Sequence, residues 1–305
     1  MSDGSRGMSI YESPIRFQAG RDDLFGILTT PRGAPRHIGV VLLNGGAETP
    51  STSRNRLSVT LARRLAASGY HVLRFDHHGA GESTGSVSRY SLNRPFTGDL
   101  IGAVEELRRR GIDQFVFVGR CFGARTALSA VGRVTGLLGL AFISVPLHDF
   151  SAWNETLGKV VRPGLQPRTL VGLLDRRRRR WHFRVLYYGI RKWARRPLSL
   201  FDNRYRAEMD WISLSVERWL RRAVTNRVPL LFLYGTDEDH YKEFRQAQEG
   251  AIGALLAQAR EYAQVCTLDG PVHDLTTIWV QEAIMARIHE WIEGVAAQSG
   301  SVVHS

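Results

Sequence analysis

The stretch FVFVGRCFGARTAL, residues 115–128, decides the fold because it joins an apolar strand to a helix through a tight turn flanked by glycines. The residue at the apex of the turn is Cys121, with Gly119 and Gly123 two positions away on either side. Such a turn holds its apex residue strained and exposed, which requires small neighbours at these two positions. The helix N-terminus and adjacent Arg120 both favour a thiolate. We therefore predict that Cys121 is a nucleophile; the alternative is a buried core thiol.

The rest of the chain alternates between strand and helix patterns, which is typical of a mainly parallel sheet flanked by helices. Gly69 and Gly111 lie where helix C-caps belong. Residues 24–31 are predicted to add an antiparallel strand at the sheet edge. The predicted buried strands are 37–43, 70–76, 115–119, 137–145, 229–235 and 262–268, and the predicted helices are 53–69, 96–111, 241–259 and 275–296.

One basic segment, residues 151–226, interrupts this alternation and is predicted to be a helical cap inserted into a core formed by 1–150 and 227–305. Residues 151–230 contain 19 Lys and Arg against 6 Asp and Glu, a net charge of +13 in a chain of net charge +12. Five of the seven tryptophans also lie there. Two interpretations of this charge remain open. The basic residues form either a solvated helix face or a docking surface for an anionic carrier or an anionic membrane. No nucleic-acid-binding pattern accompanies the segment, and we expect no nucleic acid partner.

The composition predicts a soluble, cytoplasmic protein. The 305 residues are 43% hydrophobic and 23% charged, and residues 1–17 contain no apolar run that fits a signal peptide. The longest apolar run, 134–147, is too short to cross a bilayer. Two cysteines in so long a chain are typical of a reducing compartment. Of these, Cys266 lies in an apolar strand and is interpreted as a core residue.

Two glycine-rich turns follow predicted strands early in the chain. In LLNGGAE (42–48), the backbone N–H of Gly46 is a candidate oxyanion-hole donor, and the N–H of Phe122 is its partner at the start of the helix after Cys121. The second turn contains His77 and His78. Adjacent histidines without further ligands at suitable spacing do not indicate a metal site. We therefore predict no metal and no other cofactor.

The last two predicted strands end in a carboxylate cluster and a histidine. LYGTDED (233–239) supplies the carboxylates, and LDGPVHD (268–274) supplies His273, the candidate base for the thiol. The chain order of nucleophile, acid and histidine fits the strand–turn–helix motif. Several carboxylates remain open as the acid: Asp237, Glu238, Asp239 and, after an earlier strand, Asp149.

Together these motifs resemble the α/β-hydrolase superfamily over most of the chain outside the cap. FDHHGAGES (75–83) is similar to the family turn D-x-R-G-x-G-x-S, with His78 in place of arginine. GRCFG (119–123) is similar to G-x-S-x-G with cysteine as the nucleophile, a variant of dienelactone hydrolases, Dieckmann cyclases and exosortase-associated hydrolases. The last group is the most similar, through these two motifs and the YY…W pattern in LYYGIRKWARR.

The resemblance implies an α/β-hydrolase fold with an inserted helical cap and a triad of Cys121, His273 and Asp237. In exosortase-associated hydrolases the motif that contains the acid resembles G-x-D, and this spacing favours Asp237 as the acid. The commoner family spacing favours Glu238, and a shift by one residue favours Asp239.

A cysteine–histidine pair indicates chemistry on activated acyl groups. An acyl-cysteine is itself a thioester, so that transfer from a carrier thioester is close to thermoneutral. The basic segment suits an anionic carrier such as an acyl carrier protein or coenzyme A. We predict a thioesterase, acyltransferase or cyclase that acts on a thioester or ester through an acyl-cysteine. The alternatives are a non-catalytic scaffold that binds a ligand or partner, and a peripheral membrane protein of polysaccharide assembly.

Overall fold

The structure is a computed structural model, and it describes residues 10–46, 49–87, 92–148 and 212–302. The chain divides into two compact units, one of residues 1–147 with 214–305 and the other of residues 148–213. Most of the predicted cap therefore lies outside the described residues. Its last part, Leu214–Thr225, is a helix of the first unit.

Eight strands of the described residues form one sheet in the order β1-β2-β4-β3-β5-β6-β7-β8. β1 and β2 pair antiparallel with each other, and β2 pairs antiparallel with β4; all other neighbours are parallel. The strands predicted from the sequence are confirmed, but β2 is not at the sheet edge as predicted, because β1 pairs with it on its outer side. Their bounds are β1 (Ile10–Ala19), β2 (Asp22–Pro31), β3 (Ile38–Leu43), β4 (His71–Phe75), β5 (Gln114–Arg120), β6 (Leu137–Ile143), β7 (Leu230–Gly235) and β8 (Ala263–Leu268).

Helices connect the parallel strands, as the alternating pattern predicts. The predicted helix over 241–259 is two helices, because Gly250 adopts an extended conformation (φ −121°, ψ −144°) between them. Gly69 and Gly111 have φ of +97° and +80°, as expected of residues that end a helix. The helices are α1 (Leu57–Ala67), α2 (Thr97–Arg109), α3 (Phe122–Ser129), α4 (Leu214–Thr225), α5 (Asp239–Ala247), α6 (Ala251–Gln258) and α7 (Ile278–Val302).

The core lies between the sheet and the helices on its faces. Strand side chains alternate between the two faces, and one set packs in a single cluster with α1 and α7. On the other face α3 contacts α2 and α4, and α4 contacts α6. Because both faces are covered, the parallel strands are apolar at nearly every position. The strand residues on the α1–α7 face include Val40, Leu42, Val116, Val118, Ala141, Ile143, Leu231 and Leu233.

The first strand is missing from the sequence-based prediction. β1 forms a hairpin with β2 through a turn at Gly20, whose φ of +66° favours glycine. Within β1, Ile15 and Phe17 are buried while their neighbours face solvent. This alternation is the signal of a half-buried edge strand, but it extends over only a few residues.

The carboxyl ends of the parallel strands meet at one edge of the sheet, where open α/β folds place their sites. β5 ends in the turn that contains Cys121, and the segments that contain His240 and His273 follow β7 and β8. None of the described helices is long and apolar enough to span a bilayer.

Candidate active site

Cys121 lies in the turn between β5 and α3, in a backbone conformation that few non-glycine residues adopt. Its φ and ψ are 48° and −112°. A Cβ on Gly119 would lie 2.5 Å from the backbone nitrogen of Ala124, and one on Gly123 would lie 2.6 Å from the carbonyl oxygen of Asn44. Neither position accepts a side chain without movement of the backbone. The two glycines are therefore what permits the strained turn that presents the thiol.

Two imidazoles lie beside the Cys121 thiol. The Sγ atom and one ring nitrogen each of His240 and His273 lie within 4.8 Å of one another. The centroids of the two rings are 4.8 Å apart, and the ring planes meet at 73°. His240 is in the first turn of α5, and His273 is in the loop between β8 and α7. The structure thus brings the candidate nucleophile and the candidate base together and adds a second histidine.

Each imidazole is oriented by a carboxylate at its Nδ1 atom. The Nδ1 of His240 is 3.3 Å from Oε2 of Glu243, one turn along α5. The Nδ1 of His273 is 3.2 Å from Oδ1 of Asp274. The Glu243 side chain is 19% exposed and that of Asp274 is 66% exposed, so the interaction at His240 is less screened by solvent. With Nδ1 engaged, Nε2 is the remaining nitrogen of each ring, and the Nε2 of His273 is buried without a hydrogen-bond partner among the described residues.

The three side chains change one another's proton affinity. Burial raises the pKa of the Cys121 thiol, but its interactions with His240 and His273 outweigh burial and lower the pKa to about 6. Burial lowers the pKa of His240, but its interactions with Cys121 and Glu243 outweigh burial and raise the pKa to about 9. The interaction with Cys121 also raises the pKa of His273, against burial and the charge of His240. At neutral pH the site therefore holds a thiolate next to an imidazolium.

The carboxylates predicted as the triad acid have different surroundings. Asp237, the favoured candidate, is exposed, and so is Asp239, which pairs with a lysine of its own helix. Asp149 lies outside the described residues. Within the described part of the chain, the carboxylate at Nδ1 of His273 belongs to its neighbour Asp274.

Glu238 and Arg120 hold the backbone of the loop that contains His273. The Glu238 carboxylate accepts hydrogen bonds from the backbone N–H of His273 and, at 2.7 Å, from the hydroxyl of Ser144. The guanidinium of Arg120 packs against Gly45 and donates to the carbonyl of His273 at 3.1 Å. Burial lowers the pKa of Arg120. These contacts fix the loop relative to the ends of β5, β6 and β7, which positions the imidazole.

The candidate oxyanion-hole amides lie next to the thiol, but one of them is engaged. The N–H of Phe122 donates to the carbonyl of Gly45 at a long N···O distance of 3.4 Å. In a trans peptide the C=O and N–H of one unit point in opposite directions, so the N–H of Gly46 points away from Phe122 here. The Gly46 carbonyl accepts a hydrogen bond from Thr49 at 3.2 Å.

The two histidines of the second glycine-rich turn share one buried carboxylate. The Nδ1 atoms of His77 and His78 each lie 3.0 Å from Oδ2 of Asp99, near the start of α2. Burial raises the pKa of Asp99, but hydrogen bonds from His77 and His78 outweigh burial and lower it. The His77 ring also packs edge-to-face against Phe122, with centroids 6.4 Å apart. The pair therefore stabilises the turn that lies behind the nucleophile.

The sequence as a whole matches a known family. A sequence profile described as "Serine aminopeptidase, S33" (Hydrolase_4) matches residues 35–277. The chain belongs to this family of α/β-hydrolases. It is accordingly an enzyme of the α/β-hydrolase class. A search of curated proteins finds no match.

Solved structures show the same fold over nearly the whole chain. An esterase from Pyrococcus furiosus, Pf2001, is similar with a TM-score of 0.62 and 15% identity, over 94% of this chain and 92% of that one. A proline iminopeptidase from Mycobacterium smegmatis has a TM-score of 0.57 and 18% identity, over 94% and 100%. A dienelactone hydrolase from Anabaena variabilis has a TM-score of 0.57 and 13% identity, over 93% and 98%. At these identities the likeness establishes the α/β-hydrolase fold alone.

This α/β-hydrolase departs from the description of its family at the nucleophile. The family is described by a serine nucleophile, whereas the residue at the turn here is Cys121.

His240 was not among the site residues predicted from the sequence. The signal for it is the pair His240 and Glu243, three residues apart at the start of a predicted helix, where the two side chains share one helix face.

Proposed function

We propose that this α/β-hydrolase processes acyl groups of thioesters or esters through an acyl-cysteine on Cys121. The observation that supports the proposal most strongly is the thiol at a strained strand–helix turn, within 4.8 Å of a ring nitrogen of each of two histidines that are oriented by carboxylates. A structural core thiol has no need of this arrangement. A nucleophile that attacks acyl carbonyls requires it, because the thiolate is the reactive form.

In the acylation step, the Cys121 thiolate attacks the acyl carbonyl and forms the S–C bond. The His240 imidazolium, which Glu243 stabilises, then donates its proton to the leaving thiol or alcohol as the original acyl bond breaks. The free carrier departs and leaves an acyl-cysteine with both imidazoles neutral.

In the deacylation step, His273 takes the proton of the acceptor. Acylation removes the thiolate, and with it the interaction that raises the pKa of His273 most, so this ring is neutral in the acyl-enzyme and available to accept a proton. The acceptor, whether water, an alcohol, an amine or a carbanion within the acyl group, forms the new bond as the Cys121 thiolate leaves. Transfer of the proton from His273 to His240, whose rings are in contact, restores the starting state.

The oxyanion would be held by the backbone N–H groups of Phe122 and Gly46. Rotation of the peptide unit between Gly45 and Gly46 removes the carbonyl that now accepts from Phe122 and turns the Gly46 N–H towards the substrate. Two consecutive glycines make this rotation inexpensive. A substrate carbonyl therefore completes the oxyanion hole when it binds.

The carrier of the acyl group is proposed to be anionic. Residues 151–230 carry a net charge of +13, and this sequence lies between β6 and β7, whose carboxyl ends border the site. An acyl carrier protein or the phosphates of coenzyme A would be attracted by such a charge. Both carriers present their acyl group as a thioester, which is the bond that a cysteine nucleophile exchanges at least cost.

The pH dependence of turnover tests this proposal. For the thioester butyryl-N-acetylcysteamine, we expect kcat/KM to rise with pH as Cys121 ionises and to fall again as His240 loses its proton. The inflections are expected near 6 and 9, as properties of the coupled pair rather than of either residue. The alkylation rate of Cys121 by iodoacetamide should rise through the same lower inflection.

The matched oxygen ester, ethyl butyrate, serves as the comparison substrate in the same series. We expect the thioester to be the better substrate, because its exchange with a cysteine is close to thermoneutral. A protein that turns over neither substrate contradicts the proposal. So does one whose Cys121 alkylates with the pH dependence of a free cysteine, near 8.5.

A further inference from the structure

The Cys121, His240 and His273 cluster has the donor set of a metal site as well as that of an acyl-transfer site. One donor atom from each residue lies within 4.8 Å of the others, and the three residues come from three separate segments at the sheet edge. In a tetrahedral zinc site with bonds of about 2.0–2.3 Å, neighbouring donors are roughly 3.3–3.8 Å apart. The donor atoms, which are at most 4.8 Å apart, would therefore reach zinc geometry by approaching one another by about 1–1.5 Å or less.

Zn²⁺ is the metal that this donor set suits best. One thiolate and two imidazoles are ligands that zinc takes in tetrahedral sites, and hard cations such as Mg²⁺ and Ca²⁺ take oxygen ligands instead. Three protein ligands leave a fourth position open for water or another small ligand.

The outer contacts of the two histidines are those of metal-binding histidines. Glu243 and Asp274 engage the Nδ1 atoms of His240 and His273, which leaves the Nε2 atom of each ring as the donor to a metal ion. Carboxylates in this position orient imidazoles on zinc and strengthen them as donors. The Nε2 of His273 is, moreover, buried without a hydrogen-bond partner among the described residues, which a metal ion would satisfy.

We propose that Cys121, His240 and His273 bind one Zn²⁺ ion reversibly. The proposal departs from the prediction of no metal made from the sequence, which considered His77 and His78; the Nδ1 atoms of those two residues are both engaged by one carboxylate. Binding of zinc does not depend on the proposed function. The effect of bound zinc on activity rests on the proposed function. Because the Sγ atom of Cys121 is a zinc ligand, bound zinc blocks the nucleophile and inhibits acyl transfer until a chelator removes the metal.

Cobalt and zinc titrations of the full-length protein test the proposal. After chelator treatment, Co²⁺ should bind at one equivalent and give the intense visible bands of a tetrahedral site together with a thiolate charge-transfer band. Zn²⁺ should then displace it. Cys121→Ser should abolish the charge-transfer band, and His240→Ala and His273→Ala should each weaken zinc binding by on the order of 100-fold or more. Glu243→Gln should weaken it by about 10–100-fold.

The matched controls are Cys266→Ser and His289→Ala, which change a cysteine on β8 and a histidine on α7 away from the cluster. They should leave the stoichiometry and affinity unchanged. A protein that binds no metal at one equivalent, or a Cys121→Ser variant with an unchanged cobalt spectrum, overturns the proposal. Zinc binding by a protein whose metal-free form shows no acyl turnover would contradict only the proposed function, and turnover through Cys121 without zinc binding would contradict only this inference.

Discussion

Replacement of Cys121 by alanine is expected to lower kcat for thioester turnover by about 10⁴-fold or more, with little change in thermal stability. Removal of a nucleophile eliminates the covalent route, and what remains is the smaller contribution of binding and oxyanion stabilisation. The side chain is small and lies at a surface turn, so its loss leaves little cavity. Steady-state kinetics on a thioester, with a thermal melt of the same preparation, measure both effects.

Two further variants show whether this loss is chemical. Cys121→Ser keeps the side-chain volume but replaces the thiol by a hydroxyl that does not ionise beside the imidazoles, and we expect it to lose most of the activity as well. Cys266→Ser should retain activity, because Cys266 lies on β8 and packs against the core cluster. If Cys121→Ala kept more than about a tenth of the wild-type kcat, the residue would not be the nucleophile.

Replacement of each of the two histidines is expected to slow a different step of the reaction. His240→Ala should slow acylation by about 10²–10⁴-fold and move the midpoint of Cys121 alkylation from about 6 towards 8.5, because the thiolate loses its cationic partner. His273→Ala should slow deacylation more than acylation, so that a burst of released thiol precedes slow turnover. Stopped-flow detection of the released thiol, together with alkylation rates across pH, separates the two steps.

Carboxylate variants assign the partner of the imidazolium. Glu243→Gln should raise the alkylation midpoint in the same direction as His240→Ala but by less, because the hydrogen bond at Nδ1 persists without its charge. Asp237→Asn is the matched control, since Asp237 is exposed. The opposite result, a large effect of Asp237→Asn and none of Glu243→Gln, would give Asp237 the role predicted for it from the resemblance to exosortase-associated hydrolases.

Much of the fold follows from local sequence, because the parallel strands are continuous apolar runs and the helices between them are amphipathic. Two details of the fold were not predicted from the sequence. The helix predicted over 241–259 is broken at Gly250, since a single glycine within a periodic pattern does not by itself show where the chain changes direction. β1 was not predicted because Ile15 and Phe17 are its buried residues, and two residues are too few for a clear alternating pattern.

The site was only partly predictable because its residues are far apart in the chain. Cys121 has a local signature in its two flanking glycines, and the position of His273 follows from the order of the strands. His240 has neither. It reaches the thiol because α5 begins directly after β7 with a particular rotation, and the sequence does not specify that rotation. For the same reason, the acid remained open among the three consecutive residues 237–239, with Asp237 favoured, although Glu238 is the one of the three that bonds to the backbone of the His273 loop.

Direct detection of the acyl-enzyme is the most decisive measurement. The wild-type protein and the Cys121→Ala variant are mixed with an excess of butyryl-N-acetylcysteamine, quenched in acid within the first turnover, and analysed by intact mass spectrometry and peptide mapping. The proposed function predicts one butyryl group on the peptide that contains Cys121 in the wild type, its decay at the rate of turnover, and no adduct in the variant. Turnover of the thioester without any adduct on Cys121, or an adduct that forms equally in the variant, would contradict it.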